Sequence, residues 1–161
     1  AGRILSEGQS SRLYRKMVYD QQIALQASGQ TITLEDPGVF FFFAILQQGH
    51  TVEEGEKALV EEMERLQNQP VSAEELDKAK NQLIAGLVFD RQTANDKAIA
   101  LGHASVLRGD WRLANQELAR YQKVTAADVQ AVARKYFRPE NRTVVHMLPE
   151  GMRPAQTEGK P

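Results

Sequence analysis

From Ser10 to Asp20 a serine pair precedes Arg12-Leu13-Tyr14, and Leu13 and Met17 fall one turn apart. The segment reads as a helix, with Ser10 or Ser11 accepting a bond from a free N–H of its first turn. Ile23, Leu25 and Ala27 then alternate with polar residues, which is strand periodicity; Gly29 interrupts, and Ile32 and Leu34 resume. Glu35-Asp36-Pro37-Gly38 reads as a turn. Val39 to Leu46 follows, with four phenylalanines in succession, and its length and aromatic content predict a strand buried on both faces or covered by a partner. The two strands and the turn predict an antiparallel hairpin.

From Thr51 the period becomes helical. Leu59, Met63 and Leu66 share a face, and Thr51 with Glu54 forms a capping-box pattern. Pro70 breaks the chain, and Ser72 with Glu75 opens a helix whose stripe is Leu76, Ala79, Leu83 and Leu87. Helical segments follow over about 95–107 and 113–122. Thr125 with Asp128 caps a last helix with Val129, Val132, Ala133 and Tyr136 on one side. Thr143 to Leu148 reads as a closing strand, and the Pro- and Gly-rich tail from Pro149 as loose. The predicted class is α+β: helices packed on one face of a small, mainly antiparallel sheet, in one domain over 1–148 with a tail over 149–161.

Composition narrows the chemistry. With 20 Lys and Arg against 21 Asp and Glu, the net charge of −1 supplies no field for nucleic acid or anionic lipid. The absence of cysteine excludes disulfides and thiolate metal sites but leaves the compartment open, since exported proteins can also lack cysteine. The longest apolar run, Val39 to Leu46, is far short of the roughly 20 residues of a membrane-spanning helix.

The three histidines, His50, His103 and His146, are far apart in sequence. His50-Thr51-Val52-Glu53-Glu54 invites comparison with H-x-x-E-H, in which two imidazoles one turn apart hold zinc and a glutamate activates water. Here the second histidine position is Glu54, and Thr51 as the cap places His50 outside the helix. Structural readings are preferred for His103 and His146. The pairs Glu53-Glu54, Glu61-Glu62 and Glu74-Glu75 read as solvated helix faces. Arg12, Arg15 and Lys16 form a small basic cluster at a helix start, read as surface charge or as a contact for a peptide carboxylate. Phe40 to Phe43 reads as core, with a partner-facing surface as the alternative. No nucleophile–base arrangement emerges from spacing.

Ile4-Leu5, a short Gly-containing loop and Ser10-Ser11-Arg12-Leu13-Tyr14 are similar to the non-catalytic type of domain in the pitrilysin and processing-peptidase family of zinc metallopeptidases. The resemblance continues through Val52-Glu53-Glu54-Gly55-Glu56-Lys57-Ala58, Pro70-Val71-Ser72-Ala73-Glu74-Glu75-Leu76, Val124-Thr125-Ala126-Ala127-Asp128-Val129 and Arg142-Thr143-Val144-Val145. It implies a metallopeptidase-like half-domain that carries no catalytic residue, metal ligand or cofactor of its own. Zinc is expected in a partner domain or subunit, and the two halves enclose a chamber for unfolded peptides. Ser11, Arg12 and Tyr14 are the candidate substrate-binding residues.

Many such domains supply an arginine and, seven residues later, a tyrosine that help hold substrate. Those positions here are Val18 and Leu25, which favours a second reading: a structural or assembly module, like family members retained as core subunits of larger complexes. The family domain normally has a strand and a helix ahead of the position of Ile4. The expectation is therefore an incomplete sheet with an unpaired edge, open to swapping or to a homodimer.

Overall fold

The computed structural model of the chain describes residues 1–32 and 38–149. The resumption at Leu34, the turn residues Glu35, Asp36 and Pro37, and the tail beyond Pro149 lie outside the described residues. Helix α1 (Gly2–Ser6) leads to α2 (Arg12–Tyr14), whose path continues as a π-helix (Arg15–Asp20). Strands β1 (Ala24–Ile32) and β2 (Val39–Leu46) follow. Five helices complete the order: α3 (Val52–Asn68), α4 (Ala73–Phe89), α5 (Ala94–Arg108), α6 (Leu113–Lys123) and α7 (Ala126–Tyr136). The class is α+β, with an antiparallel two-stranded sheet and seven α-helices among the described residues.

Local chemistry sets the helix starts. Thr51, Ser72 and Thr125 each accept from the backbone N–H three residues on, and Glu54, Glu75 and Asp128 return the bond to the cap N–H. A fourth capping box, Thr93 with Asp96, opens α5 at Ala94. The short α1 has no counterpart in the sequence reading. The helix expected over Ser10 to Asp20 begins at Arg12, with α geometry for one turn and π geometry beyond.

The hairpin pairs Ile32 with Val39, Gly29 with Phe42, Ala27 with Ala44 and Ala24 with Leu46, with a register shift between Ala24 and Gln26. This bulge corrects the predicted alternation. It lets Ala24 and Ala27 share the buried face and leaves Leu25 65% exposed. Nor does Gly29 interrupt the strand. A Cβ there would lie 2.4 Å from the Phe41 carbonyl oxygen and 2.5 Å from the Phe42 ring, so glycine lets β1 pass beneath the aromatic side chain.

Each strand of the sheet has one hydrogen-bonded neighbour among the described residues. Thr143 to Leu148 is not a strand. It pairs with neither β1 nor β2, and Val145 and Met147 are exposed. Among the described residues its side-chain anchor is His146 Nε2 to Glu56 Oε2 on α3, at 2.9 Å.

The core lies between the hairpin and the helices. Leu5, Leu13, Met17 and Leu66 are fully buried, with Ala24, Ala27, Ala58, Val129 and Ala133 beside them. Phe40 and Phe42 meet Phe137 edge-on at 5.0 and 5.7 Å between ring centroids. Phe137 takes the buried position predicted for Tyr136, which is 41% exposed. α3 approaches β2 closely at Gly55, where a Cβ would strike the Leu46 side chain at 2.7 Å. Gln67 Nε2 donates to the Phe137 carbonyl and Arg134 Nε to the Gln67 carbonyl, both at 2.8 Å, pinning α7 to α3. No helix among the described residues is long and apolar enough to cross a membrane.

Candidate functional site

Ser11, Arg12 and Tyr14 stand together at the start of α2. Ser11 is buried, and its hydroxyl accepts from the Tyr14 N–H at 3.4 Å, the cap expected from the serine pair. Arg12 reaches across 63 positions to Glu75: Nε donates to Oε1 at 2.8 Å and Nη2 to Oε2 at 2.9 Å. The same Glu75 oxygen Oε2 accepts from the Ser72 N–H in the α4 capping box. One carboxylate thus closes the start of α4 and ties it to the start of α2. The two family-like segments, Ser-Ser-Arg-Leu-Tyr and Val-Ser-Ala-Glu-Glu-Leu, are halves of one clasp.

Electrostatics reinforce this clasp. The hydrogen bond from Arg12 holds the Glu75 carboxyl below the ordinary glutamate range, with added help from the Ser72 N–H. Arg12 in turn is held above its usual value, chiefly by the bond to Glu75 and further by the charges of Glu75 and Glu62. Glu62 is 1% exposed, which corrects the reading of Glu61-Glu62 as a solvated pair. One of its oxygens accepts from Arg65 Nη1 at 2.8 Å. Arg12 Nη1 and Glu62 Oε2 are both buried without a hydrogen-bond partner among the described residues. Spacing foretold this burial: Gly55, Ala58, Glu62 and Leu66 recur at three and four residues along the buried face of α3. Opposite charge from Arg12 and Arg65 is what makes the position tolerable.

Tyr14 is half-buried, and its hydroxyl forms no hydrogen bond among the described residues. Val18 packs against the core, Leu25 is exposed at the bulge, and Tyr19, seven residues after Arg12, is 76% exposed.

His50 sits outside α3 and meets Glu54 Oε2 through Nδ1 at 3.1 Å. The Glu54 carboxyl is held below its ordinary value first by the Thr51 N–H and then by His50. His103 is exposed on α5. Among the described residues no group of three or more His, Cys, Asp or Glu side chains is placed to hold a metal ion. An open cavity of about 700 Å³ lies between α1, β1, α4 and α6. Its charged side chains have internal partners: Arg3 pairs with Glu7, and Lys80 donates to the Gln122 carbonyl.

The second surface of interest is the outer face of the hairpin, opposite the helices. Alternation divides the phenylalanine run, so the strand is not buried on both faces. Val39, Phe41 and Ile45 are about half exposed, and Phe43 lies beside Phe41, the two rings tilted by 31° with centroids 5.9 Å apart. Opposite this apolar rail, Gln26, Gln30 and Ile32 of β1 face Ile45, Phe41 and Val39. Ser28, the remaining position, turns its hydroxyl to the Ser6 carbonyl at 3.3 Å.

The family model described as the peptidase M16 inactive domain matches residues 1–83. The zinc protease PqqE of Helicobacter pylori is 29% identical over 153 residues, which are 91% of this chain and 33% of that protein. The chain therefore spans about a third of the length of that relative. A solved structure of a candidate zinc protease from Bordetella pertussis Tohama I superposes with a TM-score of 0.81 at 31% identity, covering 92% of this chain and 81% of that one. The inactive peptidase domain of a candidate zinc protease from Bordetella parapertussis gives a TM-score of 0.78 at 31% identity, covering 88% of this chain and 76% of that one.

Proposed function

Because the chain belongs to the peptidase M16 inactive domain family, we propose that it is the non-catalytic half of a zinc protease and completes a peptide-binding chamber against a zinc-bearing domain or subunit. Zinc and the catalytic groups belong to that partner, where the metal would activate the attacking water. This chain supplies a wall.

The observation that carries the reading is the two-sidedness of the hairpin. One face is packed against the helices, while the other presents Leu25, Ile32, Val39, Phe41 and Ile45 to solvent. A contiguous apolar face on a well-capped domain marks a contact surface. The Arg12–Glu75 clasp supports a positioning role for the α2 start, since both Ser11 and Arg12 have internal partners. Direct contact with peptide is proposed for Tyr14, whose hydroxyl is free among the described residues to meet a peptide amide.

Affinity capture checks the pairing. The immobilised chain, offered the H-x-x-E-H-bearing domain encoded by the same organism, is expected to retain it in a defined stoichiometric complex. Zinc-dependent peptide cleavage by the purified chain alone would refute the reading.

A further inference from the structure

We propose that α5 is a strap that opens while the rest of the fold stays closed, and that Glu117 of α6 is its latch. This behaviour belongs to the chain alone and needs no partner domain. Three observations carry it. First, apolar burial hardly holds α5. Of its 15 residues only Ala104 is buried, whereas α3 buries Gly55, Ala58, Glu62, Met63 and Leu66. Ile99 and Val106 are half exposed or more. Among the described residues no side chain of α5 joins the core cluster of Leu5, Leu13, Met17 and Leu66, and α5 packs chiefly on α6. An element with so little burial opens at a low free energy. Second, the helix is weak on its own. A Cβ at Gly102 would meet nothing within 4 Å, so packing does not call for glycine there, and glycine in mid-helix lowers helical stability. A detached helix of about 15 residues is marginal in water, so opening α5 frees its amides. Third, one carboxylate joins both flanks of α5 to α6. Arg91, ahead of the cap Thr93, donates through Nη2 to Glu117 Oε2 and through Nη1 to the Ala114 carbonyl, the latter at 2.7 Å. Arg108, the last residue of α5, meets Glu117 Oε1 at 2.9 Å. The Glu117 side chain is 16% exposed, so these charge-assisted bonds are shielded from water and stronger than an open surface pair. α6 itself stays tied to α4, where Lys80 Nζ donates to the Gln122 carbonyl at 3.0 Å.

The test is native-state amide hydrogen exchange on the purified chain, read helix by helix. Protection factors for α5 amides from Ala98 to Val106 are expected to be at least about tenfold lower than those of α3 and α7. Glu117→Gln should lower them by a further factor of about ten, through loss of the charge-assisted bonds, and leave α3 and α7 unchanged. Added salt should act in the same direction but more weakly, because Glu117 is shielded. Arg12→Ala, which unties α2 from α4, should do the reverse, loosening α3 with α5 unchanged.

Exchange of α5 in step with α3 and α7, at one common protection, overturns the inference. So does a Glu117→Gln chain in which every helix loosens alike or none does. Should Glu117→Gln fail to fold, Arg108→Ala removes one arm of the latch and leaves Arg91 in place. A loss of protection confined to α5 then supports the latch, and no loss overturns it.

Discussion

Phe40 and Phe42 share a strand with Phe41 and Phe43, yet the two pairs do different work. The even-numbered rings turn to the helices and meet Phe137 edge-on, filling the core. The odd-numbered rings turn away and lie tilted against each other beside solvent. Four identical residues in a row are therefore divided by turns between the core and an exposed face. What separates them is the two-residue period of the strand and nothing in their own chemistry. Composition alone cannot tell which half of an aromatic run is core.

Substitution can break this comparison at several strengths. The largest loss is expected at the centre of the inner cluster, where Phe137→Ala opens a cavity against Phe40 and Phe42 and should cost about 3–4 kcal/mol in chemical denaturation. A cost below about 1 kcal/mol would mean that the inner rings are not the core. Next comes the clasp. Arg12→Ala leaves buried Glu62 with only Arg65 as a cation and unties α2 from α4, for a loss of about 2 kcal/mol, discounted because Glu75 is partly exposed. Arg12→Lys should recover only part of it, since an ammonium cannot reproduce the two-pronged bond. Gly29→Ala should cost a similar amount, about 1–3 kcal/mol, by pushing against the Phe41 carbonyl and the Phe42 ring. Stability equal to that of the unaltered chain would show that β1 shifts freely. Smallest is the outer pair: Phe41→Ala should change stability by no more than about 0.5 kcal/mol.

Acidity acts on the clasp and the caps together. The Glu75, Glu54 and Asp128 carboxyls are all held below their ordinary values in the folded chain. The unfolded chain therefore takes up protons first as pH falls, and folding loses support progressively below the ordinary glutamate value of about 4.3. Denaturant midpoints measured from neutral pH downward should be flat until that range and then fall. In the Arg12→Ala chain the fall should be shallower, because the main cause of the Glu75 depression is gone. An equal slope in both chains would separate Glu75 from acid sensitivity.

Much of the architecture was readable because it is local. Thr51, Ser72 and Thr125 announce their helices through a partner three residues away, and the five helices after the hairpin follow from such signals and from 3.6-residue periodicity. What escaped was set by single residues or by distance. One extra residue between Ala24 and Gln26 turned Leu25 outward, a shift no alternation pattern can announce in advance. Glu62 was read from its charge, although its spacing with Ala58 and Leu66 placed it inside. Thr143 to Leu148 has strand composition, but a strand exists only by pairing, and neither described strand pairs with it. At the candidate site, Ser11 as a cap was legible from the serine pair. The bond from Arg12 to Glu75 was not, because 63 residues separate them and neither segment names the other.

The central claim, that this chain is the silent wall of a two-part protease, is tested most directly by titration. The zinc-bearing domain from the same organism, held at fixed concentration with a quenched fluorescent peptide, is mixed with increasing amounts of this chain. Hydrolysis should rise and saturate at one equivalent, with none from the chain alone. A rate that stays flat through excess chain, or zinc-dependent hydrolysis by the chain by itself, would contradict the account.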